Sequence, residues 1–231
     1  LKYQIRQAYI LGHLRDAAEL YAELKKIIKD PTSSDLQFME LYRVLLNKEE
    51  YSLAEQLSCF EKALKRTCPK YTNGTFPVVL SYEEIILLNN IALCSFRSGK
   101  QEMAVTMLMG LKHYYETQIV NQEECLRTQT MTLYNLSKML GLMGRCSECI
   151  DICNLGIRIA QETGRCNVLS RMLYNKAWVL IKGQDNVEMG KERAAQLLKK
   201  AYYMAICMAK MDEAKHYEDF YFSNYGEHLS L

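Results

Sequence analysis

Proline is scarce in this sequence of 231 residues, where only Pro31, Pro69 and Pro77 occur. A proline inside a helix removes a backbone donor and clashes with the preceding turn, so long unbroken helices need that scarcity. Charge of either sign is hardly in excess: the net value is +2, too small to mark a nucleic-acid surface by itself. No uncharged apolar run reaches the roughly 18 residues that read as a membrane span, and the N-terminus has no signal-peptide pattern. The four histidines, His13, His113, His216 and His228, are scattered. No nucleophile, base and orienting group can be placed together, and no glycine-rich phosphate loop occurs. The expectation is a non-enzyme without a cofactor. His216 with Asp212 and Glu213 reads as a group on a helix surface.

Cysteine is not scarce, but it is odd in number. Nine occur, and with no secretory signal they argue for free thiols in a reducing, cytoplasmic setting. Cys146, Cys149 and Cys153 fall at i, i+3 and i+7, on one helical face, which is a core pattern. A metal site would want Cys166 as fourth ligand and the tight CxxC turn that shapes zinc knuckles. The three thiols are expected to be structural, with no metal.

What the sequence does contain is a repeat. An apolar-periodic segment from Ile85 to Arg97 breaks at Ser98-Gly99, and a second runs from Gln101 to Glu116. The pattern restarts at Gln129, breaks at Met143-Gly144 and continues from Arg145 to Gln161. Leu88/Leu133, Asn90/Asn135, Ile91/Leu136 and Gly99/Gly144 coincide at an offset of 45, and Leu173, Asn175, Ala177 and Leu180 follow at a further 40. Recurrence at such periods is the mark of stacked helical hairpins. Earlier in the chain, Gly12/Ala17 and Glu49/Ala54 show the same five-residue relation. The predicted hairpins cover about 3–29, 34–66, 82–118, 126–162 and 168–209, in one domain over 1–231. Ser33 or Ser34 is expected to cap the helix after Pro31, and Ser81 with Glu84 forms a capping box. Pro69, Asn73-Gly74 and Pro77 mark one irregular stretch, and Gly183, Asp185 and Asn186 mark a looser turn. A final aromatic-rich helix over 212–229 is expected to cover the open end of the array.

This pattern resembles the tetratricopeptide repeat in degenerate form. Counting Ile85, Thr130 and Ser170 as position one, apolar residues fall at position four. Small residues fall at eight (Ala92, Ser137, Ala177) and at twenty (Ala104, Cys149). The usual aromatic at position four is Leu, position eleven is Ser95, Leu140 and Leu180, and no repeat has the closing proline. The fold implied is all-α: a right-handed superhelical solenoid whose concave side is lined by the first helix of each repeat. Another helical-hairpin solenoid or bundle is the alternative.

Position six is Asn90, Asn135 and Asn175, in register on three first helices. An amide offers both donors and an acceptor, so such a ladder can pair with the peptide groups of an extended ligand. The same amides can instead bond across helices or face water. Neighbouring positions supply Asn89, Tyr134 and Tyr174, then Lys138 and Trp178, then Arg97 and Arg171. Cations mixed with aromatic surface suit a short peptide bearing a hydrophobic side chain and a carboxylate.

A degenerate array of this length with register-matched asparagines resembles the C-terminal domain of Rgg-like transcriptional regulators, of the peptide-pheromone receptor group that includes the Rap, NprR, PlcR and PrgX types. The resemblance implies a bacterial, cytoplasmic, quorum-sensing homodimer that binds a short signalling peptide in its groove. It assigns backbone contact to Asn90, Asn135 and Asn175, and basic contacts to Arg97, Lys138 and Arg171. It also implies an N-terminal helix-turn-helix domain that binds DNA. The present sequence opens in what reads as mid-helix, without that domain. Phe220, Phe222 and Tyr225 are candidates for dimer contact or for capping. A scaffold holding a segment of a partner protein, and the regulatory domain of a Rap-like phosphatase, are the other readings.

Overall fold

The computed structural model describes residues 1–69, 71, 76, 79–117, 122–164, 168–183 and 187–229, with the backbone alone for 122–125 and 187–189. The Asn73-Gly74 turn, Pro77, Cys166 and the Asp185-Asn186 break lie outside them. Among the described residues the only regular secondary structure is helical. The helices are α1 (Lys2–Ile10), α2 (Leu14–Ile27), α3 (Ser33–Leu46), α4 (Leu53–Lys65), α5 (Tyr82–Arg97), α6 (Gln101–Thr117), α7 (Gln122–Leu142), α8 (Cys146–Thr163), α9 (Leu169–Lys182), α10 (Val187–Cys207) and α11 (Met211–Tyr225). None of them is long and apolar enough to cross a membrane. The chain divides into two compact units, 1–110 and 111–231.

In the first unit each helix from α1 to α5 packs on its sequence neighbour, and α3 also reaches α5. The starts of α3, α4 and α5 are set by reciprocal capping boxes: Thr32 with Asp35, Ser52 with Glu55, and Ser81 with Glu84. Each box satisfies two backbone donors that the first turn would leave orphaned. Thr32, and neither Ser33 nor Ser34, caps α3, because its hydroxyl stands three residues before Asp35. Hydrogen bonds from Lys2 and Thr32 hold the Asp35 carboxyl down at about 2. Leu88 and Ala92 are fully buried, as is Ala104 on α6. Gly99 takes φ +85°, a left-handed turn that glycine makes without a Cβ clash.

The second hairpin breaks the expected register. Ala54, read as a close-approach position, is exposed, and α4 buries Gln56, Phe60, Ala63 and Leu64 instead. No turn glycine is available there. A short 3-10 turn over Lys48–Glu50 stands in its place and shifts the helical phase.

In the second unit α7 packs on α8, α8 on α9, α9 on α10 and α10 on α11, with α7 also touching α9. Leu133, Ser137, Cys149 and Ala177 are fully buried at the repeat positions that need them. Gly144 repeats the left-handed turn with φ +74°. The last core joins Leu173, Ala177 and Leu180 of α9 to Leu198, Ala201 and Ala205 of α10 and to Ala214, Tyr217 and Tyr221 of α11. The terminal helix therefore caps the apolar end of the hairpin before it. It stops at Tyr225, where Gly226 turns left-handed and its N–H bonds the Phe222 carbonyl at 2.8 Å.

Candidate functional site

A cavity of about 590 Å³ opens in the second unit. Its walls come from three helices: α7 (Tyr134, Ser137, Lys138, Gly141, Leu142), α9 (Arg171, Tyr174, Asn175, Trp178, Val179) and α11 (Asp212, Glu213, His216, Tyr217), with Cys149 of α8 beneath. Side chains four apart on α7 and α9 (Tyr134/Lys138, Arg171/Asn175, Tyr174/Trp178) share a face, so helical spacing alone aims them the same way.

The ring edges are locked together. Tyr174 stacks on Tyr217 at 4.9 Å between centroids, tilts on His216 at 5.0 Å and meets Phe220 edge-on at 5.4 Å. Each such pair adds about 0.5–1.5 kcal/mol beyond its buried area. Burial raises the phenols of Tyr134, Tyr174 and Tyr217, which stay neutral.

The polar groups are equally tied. Arg171 donates to Glu213 Oε1 from Nε at 2.9 Å and from Nη2 at 2.6 Å, and lies over the Tyr134 ring at 5.6 Å. The other carboxylate oxygen accepts from Ser170 Oγ at 3.2 Å and from the Tyr217 hydroxyl at 3.1 Å. Lys210 stands 3.7 Å from Oε1. Burial alone would push the Glu213 carboxyl up. The bonds and charge of Arg171, with Lys210 and Tyr217, outweigh it and hold the group below the ordinary carboxylate value. For Arg171 burial acts to lower and the same partner raises, with a net rise.

Asn175 donates from Nδ2 to Ser137 Oγ at 3.0 Å, bridging α9 to α7. Cys149 donates its thiol to the Ser137 carbonyl at 3.1 Å. Its bond to Cys153, added to burial, holds it well above the ordinary thiol range. Cys149 and Cys153 are fully buried core thiols. Among the described residues no group of His, Cys, Asp and Glu is arranged to hold a metal ion.

Set beside solved structures, the chain is similar to Bacillus thuringiensis PlcR in complex with the peptide PapR7 and DNA. The TM-score is 0.71 at 16% identity, over 94% of this chain and 72% of that one. It is also similar to a putative kinesin light chain of Podospora anserina with nearly identical tetratricopeptide-like repeats. There the TM-score is 0.53 at 11% identity, over 90% of this chain and 94% of that one. The fold is tetratricopeptide-like. At these identities the likeness is one of fold. No family model matches the chain, and no curated protein matches it.

Six of the residues singled out from the sequence line this one cavity: Tyr134, Lys138, Arg171, Tyr174, Asn175 and Trp178. Asn135 sits on α7 but is buried, with 7% exposure, and does not line it. Asn89, Asn90 and Arg97 belong to the first unit. Asn89 is buried and donates to the Ile85 carbonyl at 3.0 Å. Asn90 is half-buried and donates to the Ile86 carbonyl at 2.8 Å. Arg97 is exposed. Of the terminal aromatics, Phe220 packs against Tyr174, and the Tyr225 hydroxyl donates to the Lys191 carbonyl at 2.6 Å. Phe222 is exposed and stacks on His228 at 4.4 Å.

The α11 wall is what sequence reasoning missed. Asp212, Glu213 and His216, read there as a helix-surface group, form one side of the cavity together with Tyr217. Their spacing, two pairs four residues apart, was the available signal.

Proposed function

We propose that the chain is the peptide-sensing regulatory domain of a transcriptional regulator of the Rgg-like group, binding a short signalling peptide at the second unit's cavity. The observation that carries this reading is the cavity itself. It combines an aromatic wall, an amide and a rim lysine, and its volume lies in the range of about 300–1,000 Å³ used for small ligands. The fold likeness to PlcR, a protein seen with a peptide and DNA, supports it.

In this reading Asn175 exchanges its bond to Ser137 for one to a ligand peptide group. The resemblance's remaining assignments are Asn135 in the same unit and Asn89, Asn90 and Arg97 in the first, and none of them lines this cavity. DNA is read by a helix-turn-helix domain of the full-length protein, which acts in the cytoplasm as a quorum-sensing homodimer. Phe222, the large exposed aromatic of α11, is the dimer candidate. A tetratricopeptide scaffold holding a segment of a partner protein is the second reading, supported by the likeness to the kinesin light chain.

Trp178 is the only tryptophan in the sequence and lines the cavity, so its emission reports occupancy directly. Titration with pooled heptapeptides is expected to shift that emission, and Asn175→Ala to weaken binding by about tenfold, the value of one buried polar contact. Undiminished binding by Asn175→Ala removes the asparagine from the role, and silence from every pool removes the peptide-sensing reading.

A further inference from the structure

Resting on the peptide-sensing reading, we infer that the second unit's cavity takes an uncharged aromatic side chain of that peptide, and not a carboxylate. Arg171, one of the two cations at this cavity that the sequence offers to an acidic ligand, is already engaged by Glu213 through two bonds. A ligand carboxylate on Arg171 has to displace a carboxylate that also holds Ser170 and Tyr217. It would leave Glu213 half-buried and short of donors, which opposes the exchange. The charges that remain at the lining, Lys138 and Asp212, are both exposed and opposite in sign, so the rim favours neither charge.

The walls favour a ring. Tyr134, Tyr174, Trp178 and Tyr217 present neutral aromatic faces and edges to the same space. Gly141, in the last turn of α7, sets how closely the wall packs. A Cβ there would stand 3.2 Å from Val179 Cγ2, 3.5 Å from Cys149 Sγ and 3.6 Å from Trp178 Cζ3. Glycine inside a helix gives up about 1 kcal/mol of propensity against alanine. Here its missing side chain lets Val179, Cys149 and Trp178 close onto the backbone of α7. Gly141 is thus a positioning residue for the ring wall, and a branched residue there would push Val179 and Trp178 from their places at the cavity.

The test uses the whole chain and two kinds of probe. The first kind is N-acetylphenylalaninamide, N-acetylleucinamide and the α-amide of N-acetylglutamate. The second is heptapeptide pools with Phe, Leu or Glu fixed at the centre. Wild type and Gly141→Val are followed by Trp178 emission, and Trp178→Ala and Trp178→Phe by calorimetry. The phenylalanine probes are expected to bind roughly tenfold tighter than the glutamate probes and several-fold tighter than the leucine ones. Gly141→Val and Trp178→Ala should each weaken the phenylalanine probes about tenfold, and Trp178→Phe should retain them.

Glutamate or leucine probes binding as tightly as phenylalanine overturn the inference and leave the peptide-sensing reading standing. So does indifference to Trp178→Ala, which decides the matter if circular dichroism shows Gly141→Val unfolded. Binding of N-acetylphenylalaninamide with silence from every heptapeptide pool supports the aromatic cavity and overturns the peptide reading. Silence from all probes overturns both.

Discussion

The two units differ in how side chains cap their helices, though both tie helix to helix. In the first, three reciprocal capping boxes open α3, α4 and α5, and polar bonds between helices run from Arg6 to Glu83, from Arg66 to Glu40 and from Gln37 to the Ala63 carbonyl. In the second, α8, α9 and α11 begin without any side-chain cap. There too polar contacts join one helix to another: Arg171 and Ser170 to Glu213, Asn175 to Ser137, Lys176 Nζ to Asn154 Oδ1 at 2.5 Å, and Tyr225 to the Lys191 carbonyl. A cap acts within four residues and stabilises one helix. A bond between helices fixes the spacing of a wall. Both units contain bonds of the second kind, and in the second unit those of Arg171 with Glu213 and of Asn175 with Ser137 set the cavity walls.

The largest test of that contrast asks what the units share. Ala92→Leu in the first and Ala177→Leu in the second each enlarge a fully buried small residue. Each is expected to cost about 1–3 kcal/mol by overpacking, read from urea denaturation. A loss in one unit alone breaks the claim that the same repeat register governs both.

Next comes Glu213→Gln, expected to cost about 1–2 kcal/mol as charge-assisted bonds are lost, while Arg171 keeps a half-exposed end that water screens. The pH dependence has a definite sign. Glu213 is held below its unfolded value, so its contribution is present above the ordinary carboxylate pKa of about 4.3 and is lost as pH falls through the folded value. The gap in melting temperature between wild type and Glu213→Gln should therefore close on acidification. A gap that widens contradicts the arrangement of donors around the carboxylate.

The smallest effects are at helix starts. Ser81→Ala should cost about 1 kcal/mol by losing a box. Arg145→Ala, at the uncapped start of α8, removes an exposed i,i+3 pair with Glu148 and should lower the melting temperature less than Ser81→Ala does. Equal losses would erase the distinction between the units.

Much of the helical pattern was legible because it is local. Stripes at three- and four-residue spacing, glycines at Gly99 and Gly144, and Ser81 three residues before Glu84 each act within a turn or two. The second hairpin was misread at Ala54, since a 3-10 turn at Lys48–Glu50 changes phase without any marked residue type. The α7 and α9 walls of the site were legible in part for the same reason the helices were: Tyr134, Lys138, Arg171, Tyr174, Asn175 and Trp178 share faces fixed by helical spacing. The α11 wall was not, because Glu213 lies 42 residues from Arg171 along the chain. Nor did register alone distinguish Asn175, which lines the cavity, from Asn135, which is buried.

By itself, the sequence determined periodicity: which residues turn toward neighbouring helices, which small ones allow close approach, and where the backbone breaks. These follow from 3.6 residues per turn and from the steric limits on φ. The tertiary structure decided which charges are available. Arg171 reads as a free cation along its own helix and becomes half of a pair only when α11 folds across it. An open charge and a neutralised one differ by contacts between distant segments, and those exist only once the helices are packed.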